Sequence, residues 1–599
     1  MRVILLLFAW LMSPQVVAPW VAPLGIPAPP AGLSPDRATP TAASQCPSWP
    51  SAVSPNCYYV NNTGSCSDAT NGTPSAPRCT LPGSVSYRRI EIVGGGADYT
   101  ITPRTWTATG GSESNPSVIT GIRGNCLTPV LSEAFPGGSE PNWNNCPVLS
   151  ADLTAGVLIS VPGTWVIVQG LNLRAAQFYA SGQHLDNAIF RWNHSYGIRD
   201  NNSVAYALAY GVNSANYNNN IVIYNTEVSD WCDMTSTGEE DCGGTLASRG
   251  SSNWWVVDNL WYDINGDSIR TGTNPYPGAH LYGAADPFAC PLHDTNRGFN
   301  YYVGRNTFKL NGENAIDVKD SVHAVFSQNT LTGPFNLGGS GTGGGGAISS
   351  HNHARDTWIL FNFIKTTPIG IAVSTDIAGT ENGYYIGNVI VDTKAAGTFN
   401  ANSSGQNDGA AVHIRTARGA CIFQHNTIYS VQRGFNIETG QTDCQLMDNI
   451  VSTLTTDHDA FGWEDSGALA GTDRFSHNLV QYTGTGRFGN IGSAFYGTLS
   501  AFNAASALDC TSCLEGNPLL TNAAGGLFTI GSNSPARDSG SGVTTYYDLF
   551  QTLYGLDIKK DRDGMPRPNG TRWDIGAHEF GGSSGDPTPG APATVRVIR

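Results

Sequence analysis

The stretch GENAIDVKDSVHAVFSQNTL, residues 312–331, contains two short runs in which apolar and polar residues alternate. Alternation with a period of two is typical of β-strands, because successive side chains of a strand point to opposite faces of a sheet. The first run, 315–319, carries Asp317 and Lys319 at alternate positions, and the second, 324–331, contains Asn329. Both runs recur along the chain, and their recurrence predicts the fold.

The second run is one copy of a repeated phrase, in which an alternating apolar segment ends next to an asparagine. The copies place asparagine at positions 172, 193, 225, 259, 306, 329, 362, 388, 426, 449 and 478. Three of the spacings are 21 to 23 residues, and the others exceed this minimum by variable amounts. A constant minimum with one-sided excess is typical of a solenoid whose coils carry loop insertions. The repeat therefore predicts a parallel β-helix in which these asparagines form a ladder, each bonding the backbone of the next coil.

The composition fits an all-β extracellular protein. The chain has 599 residues, 71 of them glycine, and only 13% of its residues are charged, about half the usual fraction. Its formal net charge of −15 comes without a basic stripe, so we expect no nucleic-acid partner. After the N-terminus no segment is long and apolar enough to predict a membrane span.

The sequence predicts five segments. Residues 1–20 are predicted to be a secretory signal peptide, because Arg2 precedes a short apolar run. The cleavage site is unclear. Residues 21–44 are a Pro-rich linker, 45–480 the β-helix, 481–580 a segment that packs on its C-terminal end, and 581–599 a flexible tail.

Export makes disulfides plausible for the 13 cysteines. Proximity suggests Cys46–Cys57, Cys66–Cys79, Cys126–Cys146, Cys232–Cys242 and Cys510–Cys513, although spacing does not fix connectivity, and Cys290 has no obvious partner. Cys421 and Cys444 each precede a ladder asparagine by five residues. We therefore expect them to face each other across adjacent coils, as a disulfide or as two stacked thiols.

The first run also has one copy in each coil. Aligned on apolar positions, the copies are 267–271, 315–319, 347–351, 370–374, 411–415 and 434–438. Alternation sends Ile316 and Val318 inward, and it turns one set of polar side chains outward. The outward set comprises Arg270, Asp317, Lys319, Ser349, His351, Ser374, His413, Arg415, Asn436 and Glu438. With coils about 4.8 Å apart, Arg270 adjoins Asp317 and Lys319 adjoins His351.

Two interpretations of this polar column remain open. Outward positions of a β-helix are polar in any case, and Asp317 with Arg270 could be a surface ion pair worth under about 1 kcal/mol. Alternatively the column is a functional site, because cationic and imidazole groups concentrate on it and the long loops 272–298 and 333–346 flank it.

Three stretches carry a resemblance to a known fold family. The start 57–82, the segment 516–540 with SPARDSG and the segment 561–580 with DIGAHE resemble secreted bacterial members of the pectate-lyase-like, right-handed parallel β-helix superfamily. The resemblance implies an all-β, right-handed parallel β-helix with an N-terminal cap and a C-terminal closing segment. It does not select a reaction, since the superfamily holds lyases, hydrolases, epimerases and adhesins.

The strand GENAIDVKDS broadly resembles the lysine-bearing strand of alginate-lyase-like and chondroitinase-B-like lyases, which cleave uronate polymers by β-elimination. The resemblance implies Lys319 as the base, its pKa lowered by positive neighbours, and Arg270, His351 or Arg415 as the partner of the uronate carboxylate. It also suggests Ca²⁺ ligation by Glu313, Asp317 and Asp320. The column implies a polysaccharide partner, bound by Asp317, Ser349, His413, Glu438 and His353.

Two other functions stay possible. A glycoside hydrolase needs two carboxylates about 5 to 9.5 Å apart. Asp317 and Glu438 lie four coils apart, about 19 Å, so a hydrolase would have to recruit Asp320, Asp294 or Asp263 from turns. The other alternative is a non-catalytic glycan-binding or adhesin protein. In each case we expect a secreted monomer.

Overall fold

The computed structural model describes most of the chain. It covers residues 19–49, 51–122, 146–151, 157–179, 184–198, 206–210, 218–231, 243–247, 251–264, 266–271, 298–312, 314–319, 321–333, 346–351, 354–374, 382–394, 409–416, 419–438, 444–454, 459–464, 474–484, 486–505, 510 and 512–581. Within these residues three long parallel sheets wind into one parallel β-helix, and each full coil adds a strand to sheet 1, then sheet 2, then sheet 3. The predicted all-β solenoid is confirmed.

Sheet 1 is formed, in stacking order, by Cys57–Val60, Arg89–Val93, Ser117–Ile122, Gly163–Gln169, Leu185–Arg191, Asn219–Tyr224, Ser252–Val257, Gly298–Gly304, Val325–Ser327, Thr357–Leu360, Gly383–Ile386, Cys421–Gln424, Cys444–Met447 and Arg474–Ser476. The short strand Ser321–Val322 also pairs with Gly298–Gly304.

Sheet 2 is formed by Tyr99–Thr100, Val148–Ser150, Asn172–Arg174, His194–Ile198, Glu227–Trp231, Leu260–Ile264, Thr307–Asn311, Thr330–Thr332, Phe363–Lys365, Val389–Val391, Thr427–Tyr429, Ile450–Leu454, Leu479–Tyr482 and Leu514–Glu515.

Sheet 3 is formed by Val85–Tyr87, Arg104–Ala108, Val157–Ser160, Ala176–Tyr179, Tyr206–Tyr210, Gly243–Ala247, Ile269–Thr271, Ile316–Val318, Ile348–His351, Ile371–Ser374, Ala410–Thr416, Arg433–Ile437, Asp459–Trp463 and Arg487–Ile491, with Ala494–Tyr496 added antiparallel at its end.

The remaining elements are short. An antiparallel pair joins Leu520–Asn522 to Leu527–Ile530, the α-helices are Ala42–Gln45, Leu499–Ala505 and Thr545–Tyr554, and the 3-10 turns are Ala31–Leu33 and Ala523–Gly525. None of the helices among the described residues could cross a membrane.

The asparagine ladder lies at the turn between sheets 1 and 2. The backbone N–H of Asn306 donates to Oδ1 of Asn329 at 3.0 Å, and Nδ2 of Asn306 donates to the carbonyl of Val256 at 2.8 Å. The next step repeats this from Asn329 to Asn362 at 2.9 Å. The predicted column is therefore confirmed. It satisfies buried backbone groups that the turn would otherwise leave unpaired.

For two coils the prediction placed the ladder position one residue away from where it lies. The N–H of Leu171 donates to Oδ1 of Asn193, and that of Thr226 donates to Oδ1 of Asn259. Leu171 and Thr226 thus occupy ladder positions, while Asn172 follows one and Asn225 precedes another. Asn225 is left-handed with φ 46°, which asparagine tolerates better than most residues.

The β-helix extends beyond the predicted boundary at residue 480. Arg487–Ile491 continues sheet 3, and Leu514–Glu515 continues sheet 2. Residues 516–581 then run back along the outside instead of packing only on the end. Phe550 of the helix Thr545–Tyr554 packs against Trp358 with ring centroids 4.9 Å apart, and Phe528 packs near Phe363 at 6.1 Å.

Residues 21–44, expected to be a linker, lie against the outer face of sheet 1. Trp255 donates to the carbonyl of Pro27 at 2.8 Å, and the N–H of Leu24 donates to Gln328 at 2.7 Å. This outer face is apolar, so its burial needs a cover from elsewhere in the chain. Residues 1–18, most of the predicted signal peptide, and residues 582–599 of the predicted tail lie outside the described residues.

The carboxylates of the 561–580 motif are structural. Glu579 accepts from the N–H of Asp574 at 3.0 Å and from Arg567 at 2.7 Å, and Asp561 accepts from the N–H of Glu579 at 2.9 Å. Asp538 of the SPARDSG phrase accepts from the N–H groups of Thr571 and Arg572. Both phrases therefore hold one irregular segment together through charge-assisted hydrogen bonds.

Three of the suggested disulfides are present: Cys46–Cys57, Cys66–Cys79 and Cys510–Cys513. Cys146 is disulfide-bonded, while its expected partner Cys126 lies outside the described residues, as do Cys232, Cys242 and Cys290. Cys421 pairs in register with Cys444, and both are buried without a disulfide. They are the stacked thiols that the register predicts.

Candidate functional site

The outer face of sheet 3 carries the predicted polar column. Ile316 and Val318 belong to the hydrophobic core, so Asp317 between them points outward. Strand pairing joins equivalent positions of successive coils in the order Arg270, Asp317, Ser349, Ala372, His413 and Asn436. The alignment of these six positions is confirmed.

These outward side chains are buried, although they are polar. Asp317 is 0% exposed, Arg270 6% and Lys319 8%, and Ser349 and His413 are also buried. The interpretation of Asp317 as part of a wet surface ion pair is therefore wrong. Burying charges is costly unless they are paired and hydrogen-bonded, so this face carries a free-energy cost that the apolar core does not.

Lys319 and Asp317 form an ion pair, with Nζ and Oδ2 2.5 Å apart. Burial by itself lowers the pKa of Lys319, but the carboxylates of Asp317 and Asp267 outweigh it, so the pKa is raised above its ordinary value. Arg270 acts in the opposite direction and does not prevail. The expectation that positive neighbours lower the pKa of Lys319 is wrong, because the two carboxylates raise this pKa more than the guanidinium of Arg270 lowers it.

Asp267 and Asn314 are site residues that the sequence interpretation missed. Nδ2 of Asn314 donates to Asp267 at 2.8 Å, and Oδ1 of Asn314 accepts from the hydroxyl of Ser349 at 2.7 Å and from the N–H of Gly346 at 3.0 Å. This chain of bonds ties three successive coils together. The sequence could have identified both residues, since Asp267 and Asn314 each stand two residues before the first aligned isoleucine of their strands.

His413 and Glu438 form a second polar pair on the same face. Nε2 of His413 lies 2.7 Å from Oε1 of Glu438, and Nδ1 of His413 is buried without a hydrogen-bond partner among the described residues. His413 is three coils from Asp317, about 14 Å. Asp317 and Glu438 are accordingly too far apart to work as a hydrolase pair.

Arg415 does not take the position that the alignment predicts. A β-bulge lies between Val373 and Ser374, so Thr416 faces Ser374. One extra residue shifts every later position of a strand, and a bulge is not visible in an apolar pattern. Arg415 itself lies in the bulge, half-buried.

The remaining predicted residues are only partly described. His351 ends the strand Ile348–His351, and the pairing of Val318 with Ser350 places the backbone of His351 opposite that of Lys319. Its side chain lies outside the described residues, as do His353, Glu313, Asp320 and Asp294. Asp317, the one suggested calcium ligand that is described, is bonded to Lys319. The described residues contain no group of three candidate metal ligands.

Comparisons with known proteins give structural similarities at low identity and low TM-score. No protein-family model matches the chain, and no curated protein matches it. Among solved structures it resembles a GH136 lacto-N-biosidase from Eubacterium ramulus, with 12% identity over 77% of this chain and 67% of that chain and a TM-score of 0.34. A pectate lyase matches with 12% identity over 90% of this chain and 99% of that chain, at a TM-score of 0.25. A PL6 family polysaccharide lyase from Pseudopedobacter saltans matches with 11% identity over 76% and 95%, at 0.29. At such values no residue role transfers to this chain.

Proposed function

We propose that the protein is a secreted, monomeric polysaccharide lyase that cleaves a uronate-containing polymer by β-elimination on the outer face of sheet 3. The observation that carries the proposal is the buried ion pair of Lys319 and Asp317 beside Arg270. A buried ionisable group with a perturbed pKa, as Lys319 is, held beside other charges on a rigid sheet is typical of functional sites. The disulfides support export.

In β-elimination a base takes the proton at C5, the electron pair of the C5–H bond forms a C4=C5 double bond, and the C4–O bond breaks to leave an oxygen that keeps its electron pair and takes up a proton. Negative charge develops on the neighbouring carboxylate, and fixed cations that stabilise this charge lower the barrier. Lys319 and Arg270 are such cations. We assign Lys319 this role in its ammonium form, because Asp317 and Asp267 raise its pKa and an anionic substrate would raise it further.

We assign the base to His351. What supports the assignment is the register, since its backbone is one coil from Lys319. A histidine is ordinarily half-deprotonated near pH 6.5, so it can accept a proton at neutral pH where an ammonium cannot. His413 and Glu438 lie farther along the same face, about three and four coils from Asp317, and would contact other sugar units of the polymer, with Arg415 in the neighbouring bulge.

The test is product formation from alginate, pectate, glucuronan and glycosaminoglycans, followed by ultraviolet absorbance of the unsaturated product. We expect absorbance with at least one uronate polymer. New reducing ends without absorbance would indicate hydrolysis. Binding without either product would indicate the glycan-binding alternative, which the raised pKa of Lys319 favours because a protonated lysine can bind an anionic glycan without acting as a base. Parallel assays with added Ca²⁺ and with a chelator test whether activity requires a calcium ion, the ligands suggested for it being Glu313, Asp317 and Asp320.

The pH profile separates the two candidate bases. With His351 as the base, kcat should rise with a midpoint in the ordinary imidazole range, about pH 6 to 7, and then level off. His351→Ala should lower kcat by about 10²-fold or more. A rate that instead keeps rising towards pH 10, and that His351→Ala leaves unchanged, would return the role of base to Lys319.

A further inference from the structure

A cavity of about 500 Å³ lies between the N-terminal segment and the outer face of sheet 1, away from the polar column of sheet 3. The strands beneath it belong to the early coils, from Arg89–Val93 to Leu185–Arg191. Cavities that hold small organic molecules measure about 300 to 1,000 Å³, so this one has the size of a ligand site.

The lining is positively charged in a chain that is negative overall. Arg37, Arg89 and Arg191 line the cavity together with a single carboxylate, that of Glu91. Glu91 forms an ion pair with Arg89. Among the described residues, neither Arg37 nor Arg191 has a carboxylate within ion-pair distance. Glu113 acts on Arg37 and Asp36 acts on Arg191 only at longer range, so neither guanidinium is directly paired with an anion in the cavity.

Arg191 is held in place as a binding group would be. It is 1% exposed, and its guanidinium lies over the ring of Trp192 at 4.1 Å from the centroid. It donates to Gln169 at 3.0 Å, to Thr39 at 2.9 Å and to the carbonyl of Pro35 at 2.7 Å. These contacts fix its direction, and they involve neutral acceptors only.

The electrostatic cost of this arrangement shows in the titration of Arg191. Burial, with a smaller effect of the nearby Arg37, lowers its pKa to about 9 against the opposing effects of Tyr224 and Asp36. A buried cation that lacks a paired anion is destabilising. An anion bound in the cavity would remove part of that cost, and guanidinium groups bind carboxylates with paired hydrogen bonds.

We propose that this cavity binds a small carboxylate-bearing sugar, a uronate of one or two rings, at a site separate from the outer face of sheet 3. The volume exceeds what an inorganic anion needs, and the ring of Trp192 adds an aromatic surface of the kind that ligand sites use. The choice of a uronate rests on the proposed function, while the need for an organic anion rests on the cavity alone.

The test is calorimetric titration of the full chain with sodium D-galacturonate and D-glucuronate, with D-galactose as the neutral counterpart and sulfate as the simple anion. We expect saturable binding of a uronate and none of galactose. Arg191→Met should weaken binding by about tenfold or more, as the loss of charged hydrogen bonds predicts. Because Arg191 also holds the N-terminal segment, Arg37→Glu provides a second variant with a similar expected loss.

Two controls keep the result specific. Arg572→Glu makes the same charge change at an exposed position and should leave binding unchanged. The double variant Lys319→Met/Asp317→Leu should also bind the uronate normally, so a protein without lyase activity can still confirm the cavity. Absence of saturable binding, binding that persists in both Arg37→Glu and Arg191→Met, or equal binding of sulfate and uronate would overturn the inference.

Discussion

The outer faces of sheets 1 and 3 have the same backbone geometry and opposite chemistry. Sheet 1 presents aromatic and aliphatic side chains such as Trp255 and Trp358, which the two terminal segments of the chain cover. Sheet 3 presents Arg270, Asp317 and His413, buried despite their polarity. An apolar face stabilises the fold when it is covered, whereas a buried polar face costs free energy. The comparison supports the proposal that the apolar part of the sheet 1 face serves the structure and that the polar column of sheet 3 serves the function.

The largest expected effect is that of removing the charge of Lys319. Lys319→Ala should lower kcat/KM by about 10²-fold or more, the usual loss when a charge-stabilising donor is removed. It should also destabilise the protein by about 3 to 5 kcal/mol, because the buried carboxylate of Asp317 loses its partner. An exposed lysine could be replaced without loss of stability, but Lys319 is buried. Turnover and urea unfolding measure the two effects, and an unchanged unfolding curve would show that the pair is not buried in solution.

On sheet 1 the comparison predicts loss of stability without loss of function. Phe550→Ala removes a buried ring from the helix Thr545–Tyr554 where it packs on Trp358. The cost should be about 3 to 5 kcal/mol, as for other buried aromatic side chains. At a temperature where the variant remains folded, kcat should equal that of the parent. A fall in kcat larger than the folded fraction explains would mean that the sheet 1 side also contributes to the reaction.

Acid should destabilise the C-terminal segment 516–581, which lies along the outside of the β-helix. Burial lowers the pKa of His578 to about 3, aided by Arg562 and Arg567, while an unfolded histidine titrates near 6.5. Below pH 6.5 the unfolded chain therefore binds a proton that the native protein does not, and stability falls as the pH drops. At pH 5 this contribution is about 2 kcal/mol. Unfolding free energies at pH 7 and pH 5 should differ less for His578→Gln than for the parent; an equal difference would contradict the assignment.

The smallest expected effect concerns an exposed ion pair of sheet 2. Arg174 lies 2.6 Å from Asp98, with side chains 41% and 39% exposed, whereas those of Lys319 and Asp317 are 10% and 0% exposed. Solvent screens the exposed pair, so Arg174→Ala should cost less than about 1 kcal/mol. Thermal unfolding of Lys319→Ala and Arg174→Ala side by side would show whether the loss of stability depends on the burial of the ion pair and not on pairing itself. Similar losses would argue against that explanation.

Features that repeat in every coil could be predicted from the sequence, whereas features that depend on one particular residue could not. The ladder and the column from Arg270 to Asn436 were predictable, because each coil repeats the same pattern. The bulge at Arg415 was not, since it breaks the register without changing the apolar pattern. Nor was the pKa of Lys319, which depends on Asp267, a residue of the previous coil.

The packing of the terminal segments also escaped prediction. Residues 21–44 contain many prolines, which are typical of linkers, yet they supply carbonyl acceptors and apolar side chains such as Ile26 and Leu33 to sheet 1. The alternating pattern of a strand identifies which side chains face outward, but it does not say which part of the chain will cover them.

The central claim, that the buried ion pair of sheet 3 serves function and not stability, is tested most directly by replacing both partners. Lys319→Met/Asp317→Leu exchanges the pair for apolar side chains of similar volume and removes one buried cation together with one buried anion, while the buried charges of Arg270 and Asp267 stay in place. The measurement is the formation of unsaturated product from the uronate polymer, normalised to the folded fraction. We predict a stability close to that of the parent and a rate at least about 10²-fold lower. A folded double variant with near-parental turnover would contradict the claim.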